Sequence, residues 1–265
     1  MIMNTNLLSK YLVDSKYLSG IIYFEELYST NAYSKKSYHE LKDNTLVLTS
    51  YQTNGTGRFG RPWKSSRNEN LTFSLIKDYG LRIDEIHLMN FYTSYILYLT
   101  LNETSKDCSE HDLYLKWPND LLLNRKKIAG ILLDVKDMNS DMKKFIIGIG
   151  LNVNQEIFPE DINSKATSMK NEFKCEFMIE MILINFIKLF NENLCLLNQG
   201  DILMKLWKSK SNVIGKKVKF KQLDDGREAE VVVMDIDNDG GLIVSDVSGK
   251  TCKFYSGEIS ILYDE

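Results

Sequence analysis

Three glycine-marked segments, far apart in a chain of 265 residues, constrain its fold more tightly than its composition does. The first is Gln52-Thr53-Asn54-Gly55-Thr56-Gly57-Arg58-Phe59-Gly60-Arg61-Pro62-Trp63. The second is Lys116-Trp117-Pro118-Asn119-Asp120, running on to Lys126-Lys127-Ile128-Ala129-Gly130. The third is Gly148-Ile149-Gly150-Leu151-Asn152-Val153-Asn154. Each adjoins or interrupts an apolar run, so the strands around them decide whether they meet.

Residues 21–25 read as a short strand. Ser29-Thr30-Asn31 follows, three good helix N-caps, and then a helical stretch over 32–41. Residues 45–51 are β-branched and apolar, a strand that feeds the first glycine segment, and 70–76 is the next strand. Apolar residues at helical spacing over 86–101 predict a core helix. Residues 113–123 and 126–135 predict two strands joined by a tight turn at Asn124-Arg125. Pro118, inside the first of them, implies a bulge or an edge position because proline cannot donate to the ladder. A strand over 145–153, a polar loop over 154–164, a long amphipathic helix over 177–197 ended by Gly200, and a short helix over 202–209 complete this part.

From Val213 the texture changes to short β segments separated by Asp224-Asp225-Gly226, Asn238-Asp239-Gly240-Gly241 and Ser248-Gly249. That rhythm suits a small β-barrel. The expected organisation is a unit over 1–210 and a second over 211–265, with a polar linker at 208–212. The fold class is α+β.

Composition enters mainly by exclusion. The net charge of −3 gives no basic field for nucleic acid. The apolar stretch over 177–189 is interrupted by Glu180, Asn185 and Lys188, and no run reaches the ~20 residues that span a bilayer. The first residues lack the sequence of a signal peptide. Four isolated cysteines, Cys108, Cys175, Cys195 and Cys252, form no CxxC pair, and His39, His87 and His111 are scattered. The pattern fits a reducing cytoplasm and offers no metal site.

The glycine segments carry chemistry. Gly55, Gly57 and Gly60 allow backbone amides close to an anion, and Arg58 and Arg61 add planar donors for phosphate or carboxylate. The spacing matches neither a P-loop nor a dinucleotide fingerprint; a hairpin turn with incidental arginines is the plain alternative. On the second segment, alternation with Ala129 and Ile131 turns Lys127 inward. An inward lysine needs a counter-charge, which an anionic ligand or Asp120 would supply. Gly148 and Gly150 within a strand mark close approach of a ligand or another backbone, or a bulge. Ser29-Thr30-Asn31 taken alone is a helix cap.

Together these segments resemble the biotin protein ligase family. Gly-x-Gly-Arg-x-Gly-Arg-x-Trp, Lys-Trp-Pro-Asn-Asp, Lys-x-x-Gly-Ile-Leu and Gly-x-Gly-x-Asn-Val-Asn are its hallmarks. Ser29-Thr30-Asn31 sits at the matching distance, and Gly257-Glu258-Ile259-Ser260 resembles the family's last strand. The resemblance implies a class II synthetase-like catalytic domain, a mixed sheet flanked by helices, plus a C-terminal SH3-like barrel. It implies ATP-dependent joining of biotin to a carrier-protein lysine through biotinyl-5′-AMP, with Mg²⁺ as activating ion. The implied partner is a biotin carboxyl carrier domain. Homodimers occur in the family, though no residue here declares an interface. Ser29, Thr30, Asn31, Gln52, Gly55, Thr56, Gly57 and Gly130 would contact biotin. Arg58 and Lys127 would hold its carboxylate against the phosphate, with Asp120 as a third catalytic group. Arg61, Trp63, Asn119 and Asn152 would face the nucleotide.

Two positions depart from the pattern. Thr56 stands where the loop's first arginine is usual, and Leu262 follows Ile261 where some relatives carry an arginine near the nucleotide. The residues before 21 leave no room for a three-helix DNA reader, so a monofunctional form without DNA binding is expected. A lipoate or octanoate ligase of the same fold and a non-catalytic biotin sensor are the rivals. An SH3-like binding module would explain only residues 213–265. The loop from Gly55 to Trp63, rich in glycine, is expected to be mobile until ligand orders it.

Overall fold

The computed structural model describes residues 3–222 and 228–262. The Asp224-Asp225-Gly226 turn lies outside them. The chain opens with α1 (Thr5–Leu8) and a single wide turn, then β1 (Gly20–Phe24), α2 (Thr30–Lys36), β2 (Thr45–Thr49), β3 (Asn70–Tyr79) and α3 (His87–Thr104). There follow β4 (Leu113–Lys116), β5 (Asp120–Leu123), β6 (Lys126–Lys136) and β7 (Lys143–Asn152), then α4 (Met169–Phe173), α5 (Ile179–Glu192) and α6 (Gly200–Ser209). The last part is β8 (Lys217–Lys221), β9 (Glu228–Ile236), β10 (Leu242–Ser245), β11 (Thr251–Phe254) and β12 (Glu258–Ile261).

The first seven strands form one mixed sheet in the order β1-β2-β3-β7-β6-β5-β4. Only β1 and β2 run parallel; the remaining pairs are antiparallel. Strand alternation sorts residues onto two faces. On the back face, Leu71, Phe73, Leu75, Phe145, Ile147 and Leu151 pack with α3 and α5 in one buried cluster. Burying each such side chain contributes roughly 1.5–3 kcal/mol. Helix α3 is buried nearly all round, from Leu88 to Leu101. On the front face, α2 covers Val47, Ile76 and Ile146, and the rest of that face stays open.

Several sequence-based expectations are corrected. Residues 113–123 are a hairpin, β4 and β5, because Trp117-Pro118-Asn119 turns the chain through a cis Trp117–Pro118 bond. Pro118 therefore sits in a turn, where its missing N–H is harmless. The 177–197 helix ends at Glu192 and gives way to a 3₁₀ turn (Leu194–Asn198); Gly200 begins α6 and stops nothing. Helix α2 closes at Lys36, short of Leu41. The turn at Asn124-Arg125 stands as expected, with both residues at positive φ (48° and 70°), the twist a two-residue hairpin requires.

Strands β8 to β12 form a five-stranded antiparallel sheet in the order β11-β10-β9-β8-β12. It packs directly on the first unit. The Trp117 indole donates to the Gly240 carbonyl at 2.9 Å, and His87 Nε2 of α3 donates to the Asn238 carbonyl at 2.9 Å. Gly240, at φ +80°, fits here because a Cβ would lie 2.9 Å from Phe91. The 210–211 segment pairs with the free edge of β4 through the Leu115 N–H to Lys210 carbonyl bond and the Leu115–Ser211 bridge.

Candidate active site

One rung of the first sheet crosses all seven strands: Phe24, Thr49, Thr72, Gly150, Gly130, Asp120 and Lys116 are successive register partners. Thr72, Gly150, Gly130, Asp120 and Lys116 floor a cavity of about 440 Å³ on the front face. The two glycines keep the middle of that floor flat, with a cation–carboxylate pair at one end. The neighbouring rung adds Gly148 beside Leu132.

Lys127 reaches this cavity by a route that alternation did not predict. Asp120 pairs with Gly130 and Leu121 with Ala129, but Leu122 then pairs with Lys127. Ile128 is the extra residue of a β-bulge. Ile128, Ala129 and Ile131 all belong to the back-face core, and Lys127 is turned onto the face of Gly130. Without the bulge, Lys127 would share the face of Ala129 and Ile131. Its ammonium lies 2.6 Å from the Asp120 carboxylate and 5.7 Å from the centre of the Trp63 ring.

The first glycine segment forms the roof. Gly57 N–H donates to the Arg61 carbonyl and Trp63 N–H to the Gly55 carbonyl, each at 2.7 Å. This small hairpin lays the Trp63 indole on Gly150; a Cβ at that glycine would lie 2.3 Å from the ring. Arg58 donates to Asn119 Oδ1 at 3.1 Å, and Asn119 is itself fixed by donating to the Ile131 carbonyl at 2.6 Å. Arg61 makes a two-pronged ion pair with Glu258 of β12, and Lys64 pairs with Asp161 at 3.0 Å. The roof is thus fastened at three charged points.

The side wall is the start of α2. Ser29 caps the helix, its Oγ accepting from Ala32 N–H at 3.3 Å. Thr30 donates from its backbone to Gln52 Oε1 at 2.8 Å, and Ser74 donates to the Thr30 hydroxyl at 3.0 Å. Asn31 donates to Asp134 at 2.6 Å. At the opposite wall Asn152 donates to the Thr167 carbonyl at 3.0 Å, and Lys127 N–H donates to the Lys165 carbonyl at 2.8 Å.

Three buried polar atoms of cavity-lining residues lack a protein partner: Asn31 Oδ1, Trp63 Nε1 and Asn152 Oδ1. Leaving such an atom unpaired costs about 1–3 kcal/mol. A ligand offering two donors and one acceptor would satisfy all three. The electrostatics favour an anion. Burial pushes the Asp120 carboxyl up, but Lys127, Lys116 and Arg58 outweigh it and hold it below the usual carboxylate range. Burial depresses both the Lys116 ammonium and the Arg58 guanidinium. Six cations, Arg58, Arg61, Lys64, Lys116, Lys127 and Lys165, line a cavity whose carboxylates among the described residues are Asp120 and Glu258.

Of the residues singled out from sequence, Ser29, Thr30, Asn31, Gln52, Thr56, Gly57, Arg58, Arg61, Trp63, Asn119, Asp120, Lys127, Gly130 and Asn152 line the cavity. Gly55 does not; it sits behind the roof, where a Cβ would meet Gln52 Nε2 at 2.5 Å. Lys116 was assigned no part from sequence, although it adjoins Trp117 in the motif; its pairing opposite Asp120 needed the hairpin. Glu258 stood out only as part of the last-strand motif; its pairing with Arg61, 197 residues away, was not legible. Among the described residues no group of three or more His, Cys, Asp or Glu is placed to hold a metal, and no helix is long and apolar enough to cross a membrane.

A flat, glycine-floored cavity ringed by fixed cations lets two anionic groups approach each other, the demand a ligase that activates acids must meet. Residues 23–152 match the biotin/lipoate A/B protein ligase family and residues 213–262 the biotin protein ligase C-terminal domain. The chain belongs to the biotin protein ligases of that family and is a ligase. It is 28% identical over 253 residues to the bifunctional ligase/repressor BirA of Bacillus subtilis, covering 91% of this chain and 74% of that one. It is 26% identical over 230 residues to the biotin–[acetyl-CoA-carboxylase] ligase of Mycobacterium tuberculosis, with 82% and 79% covered. The biotin protein ligase from Aquifex aeolicus, solved in complex with biotin and ATP, superposes with a TM-score of 0.71 at 26% identity, covering 93% of this chain and 100% of that one.

Proposed function

We propose that this ligase attaches biotin to a lysine of a biotin carboxyl carrier domain through biotinyl-5′-AMP. The observation that carries the reading is the meeting of Lys127, Arg58, Lys116 and Arg61 over the Gly130–Gly150 floor. In the first step a biotin carboxylate oxygen attacks the α-phosphorus of ATP and pyrophosphate leaves. In the second, a carrier lysine nitrogen attacks the acyl carbon and AMP leaves. Residues 1–210 form the catalytic unit and 211–265 the C-terminal one.

The residues have distinct work. Ser29, Thr30, Asn31 and Gln52 face the ureido ring; Asn31 Oδ1 accepts from one of its N–H groups. Gly55, Thr56 and Gly57 shape the roof over biotin, and Gly130 leaves room for the bicyclic ring. Lys127 leaves Asp120 to bridge the two anions, and Arg58 holds the carboxylate and phosphate. Charge that develops between them is met by donors already in place. Asp120 then orients the incoming amine. Arg61, Trp63, Asn119 and Asn152 face the nucleotide, Asn152 Oδ1 accepting from the adenine amine.

A magnesium ion, which the family implies, would neutralise part of the triphosphate. Mg²⁺ is typically held by one or two carboxylates together with substrate phosphates. Asp120 and Glu258 offer such a set, and each is already paired with a cation.

Pyrophosphate release with ATP and Mg²⁺, measured beside biotin, lipoate and octanoate, tests the reading. Release with biotin is the expected result. Release only with lipoate or octanoate would move the chain to the other branch of the family. Tight biotin binding without release would make it a sensor.

A further inference from the structure

Helix α2 sets two side chains from successive turns, Asn31 and Lys35, on one carboxylate of the sheet below it. That carboxylate is Asp134. On β6 it is the front-face residue that follows Gly130 and Leu132, which line the cavity, and its register partner is Ile146, under α2. Asp134 Oδ2 accepts from Asn31 Nδ2 at 2.6 Å, and its Oδ1 lies 2.9 Å from the Lys35 ammonium. Asp134 does not line the cavity. Asn31 does, and it is buried.

The two ends of a side-chain amide have nearly the same shape and opposite polarity. A carboxylate paired with an ammonium offers acceptors only, so the amide must meet it with its Nδ2 end. The bond to Asp134 therefore turns Asn31 Oδ1 the other way, over Gly148, where a Cβ would lie 3.4 Å from it. Gly148 lines the cavity, and Asn31 Oδ1 is one of the three buried atoms with no protein partner. Asn31 thus presents an acceptor to the cavity while its donor end is engaged outside it. Lys35 holds the second Asp134 oxygen, which keeps the carboxylate from turning away.

We propose that Asp134 is a positioning residue that sets specificity by locking the Asn31 amide with its oxygen toward the ligand. The inference rests on the biotin reading above. The ureido ring presents N–H donors, and a fixed acceptor matches one of them. A ring with an acceptor in that place would face Oδ1 with no hydrogen between the two oxygens, which a buried site penalises. An amide free to turn would serve a donor or an acceptor alike. The lock, and not the asparagine alone, is what makes the site choose a donor.

The test is calorimetry with biotin and with the two cyclic-carbamate analogues in which one or the other ureido N–H is replaced by oxygen. The proteins are the unaltered chain and Asp134→Leu. In the unaltered chain one analogue should bind at least about tenfold more weakly than biotin. In Asp134→Leu the gap should narrow to within about threefold, and that analogue should bind more tightly than it does to the unaltered chain, because Asn31 can then turn Nδ2 inward. A merely structural Asp134 would weaken all three ligands alike. Equal binding of biotin and both analogues by the unaltered chain, or a gap of the same size in both proteins, would overturn the proposal. A second measurement needs no variant. The isotope-labelled Asn31 side-chain amide should show one proton shifted downfield by the carboxylate and keep that shift when biotin binds; its loss on binding would overturn the lock. Absence of biotin binding to the unaltered chain would overturn the biotin reading and this inference together, whereas an unchanged gap overturns the inference alone.

Discussion

The two faces of the seven-stranded sheet use the same strands for opposite ends. On β7, Phe145, Ile147 and Leu151 face back into the core, while Gly148, Gly150 and Asn152 face front. The back face is covered by α3 and α5. The front face is deliberately short of side chains along one rung, and what stands there is charged or small. Packing energy on one side holds the backbone still, so that the other side can keep a hole and three unpaired polar atoms. Stability and chemistry are therefore expected to separate by residue parity along a single strand.

That separation can be broken by mutation. Ile147→Ala, on the back face, should lower the free energy of unfolding by about 2–5 kcal/mol, read by urea denaturation, while biotin affinity of the folded fraction stays unchanged. An equal loss of affinity would show that the faces are coupled. Lys127→Ala, on the front face, should slow pyrophosphate release by about 10²–10³-fold; undiminished release would remove Lys127 from the chemistry. Gly150→Ala forces the Trp63 indole off its seat. Overpacking of this kind costs roughly 1–3 kcal/mol, or about 10–100-fold in affinity, which calorimetry with biotin would read.

Acid sharpens the comparison further. The folded Asp120 carboxyl is held below its ordinary value. Its contribution to stability is thus complete above about pH 4, the unfolded carboxylate range, and fades as pH falls through the lower folded value. Asp120→Asn should flatten this part of the stability–pH curve, whereas Ile147→Ala should shift the curve down without changing its shape. The smallest effect is expected at the roof. Its loop is tied by Arg58–Asn119, Arg61–Glu258 and Lys64–Asp161. Biotin should add only modest hydrogen-exchange protection to the amides of Gly55, Gly57 and Trp63; a large gain would mean that these ties are weak in solution.

Much of the site was legible because its residues are chosen for what they lack or carry. A glycine pair two residues apart in an apolar strand, as at Gly148 and Gly150, has few uses besides close approach. Lysine and arginine beside such glycines name the kind of ligand. Strands β2, β3, β6 and β7 were legible for a similar reason, since β-branched and apolar runs bounded by turns leave little choice. Helix ends were less so: Gly200 marks the start of α6, because a 3₁₀ turn after Glu192 had already stopped α5.

What the sequence alone determined is the chemical inventory of this protein, together with the strands that carry it, because residue type and local periodicity are local properties. What only the tertiary structure decided is which of those residues face one another. The bulge at Ile128 rotates Lys127 onto the glycine face, and the Trp117–Asn119 turn folds Lys116 against Asp120. Glu258 closes on Arg61 across most of the chain. Register, bulges and long-range ion pairs are set by packing the whole sheet at once. No window of sequence contains the energy difference that selects them.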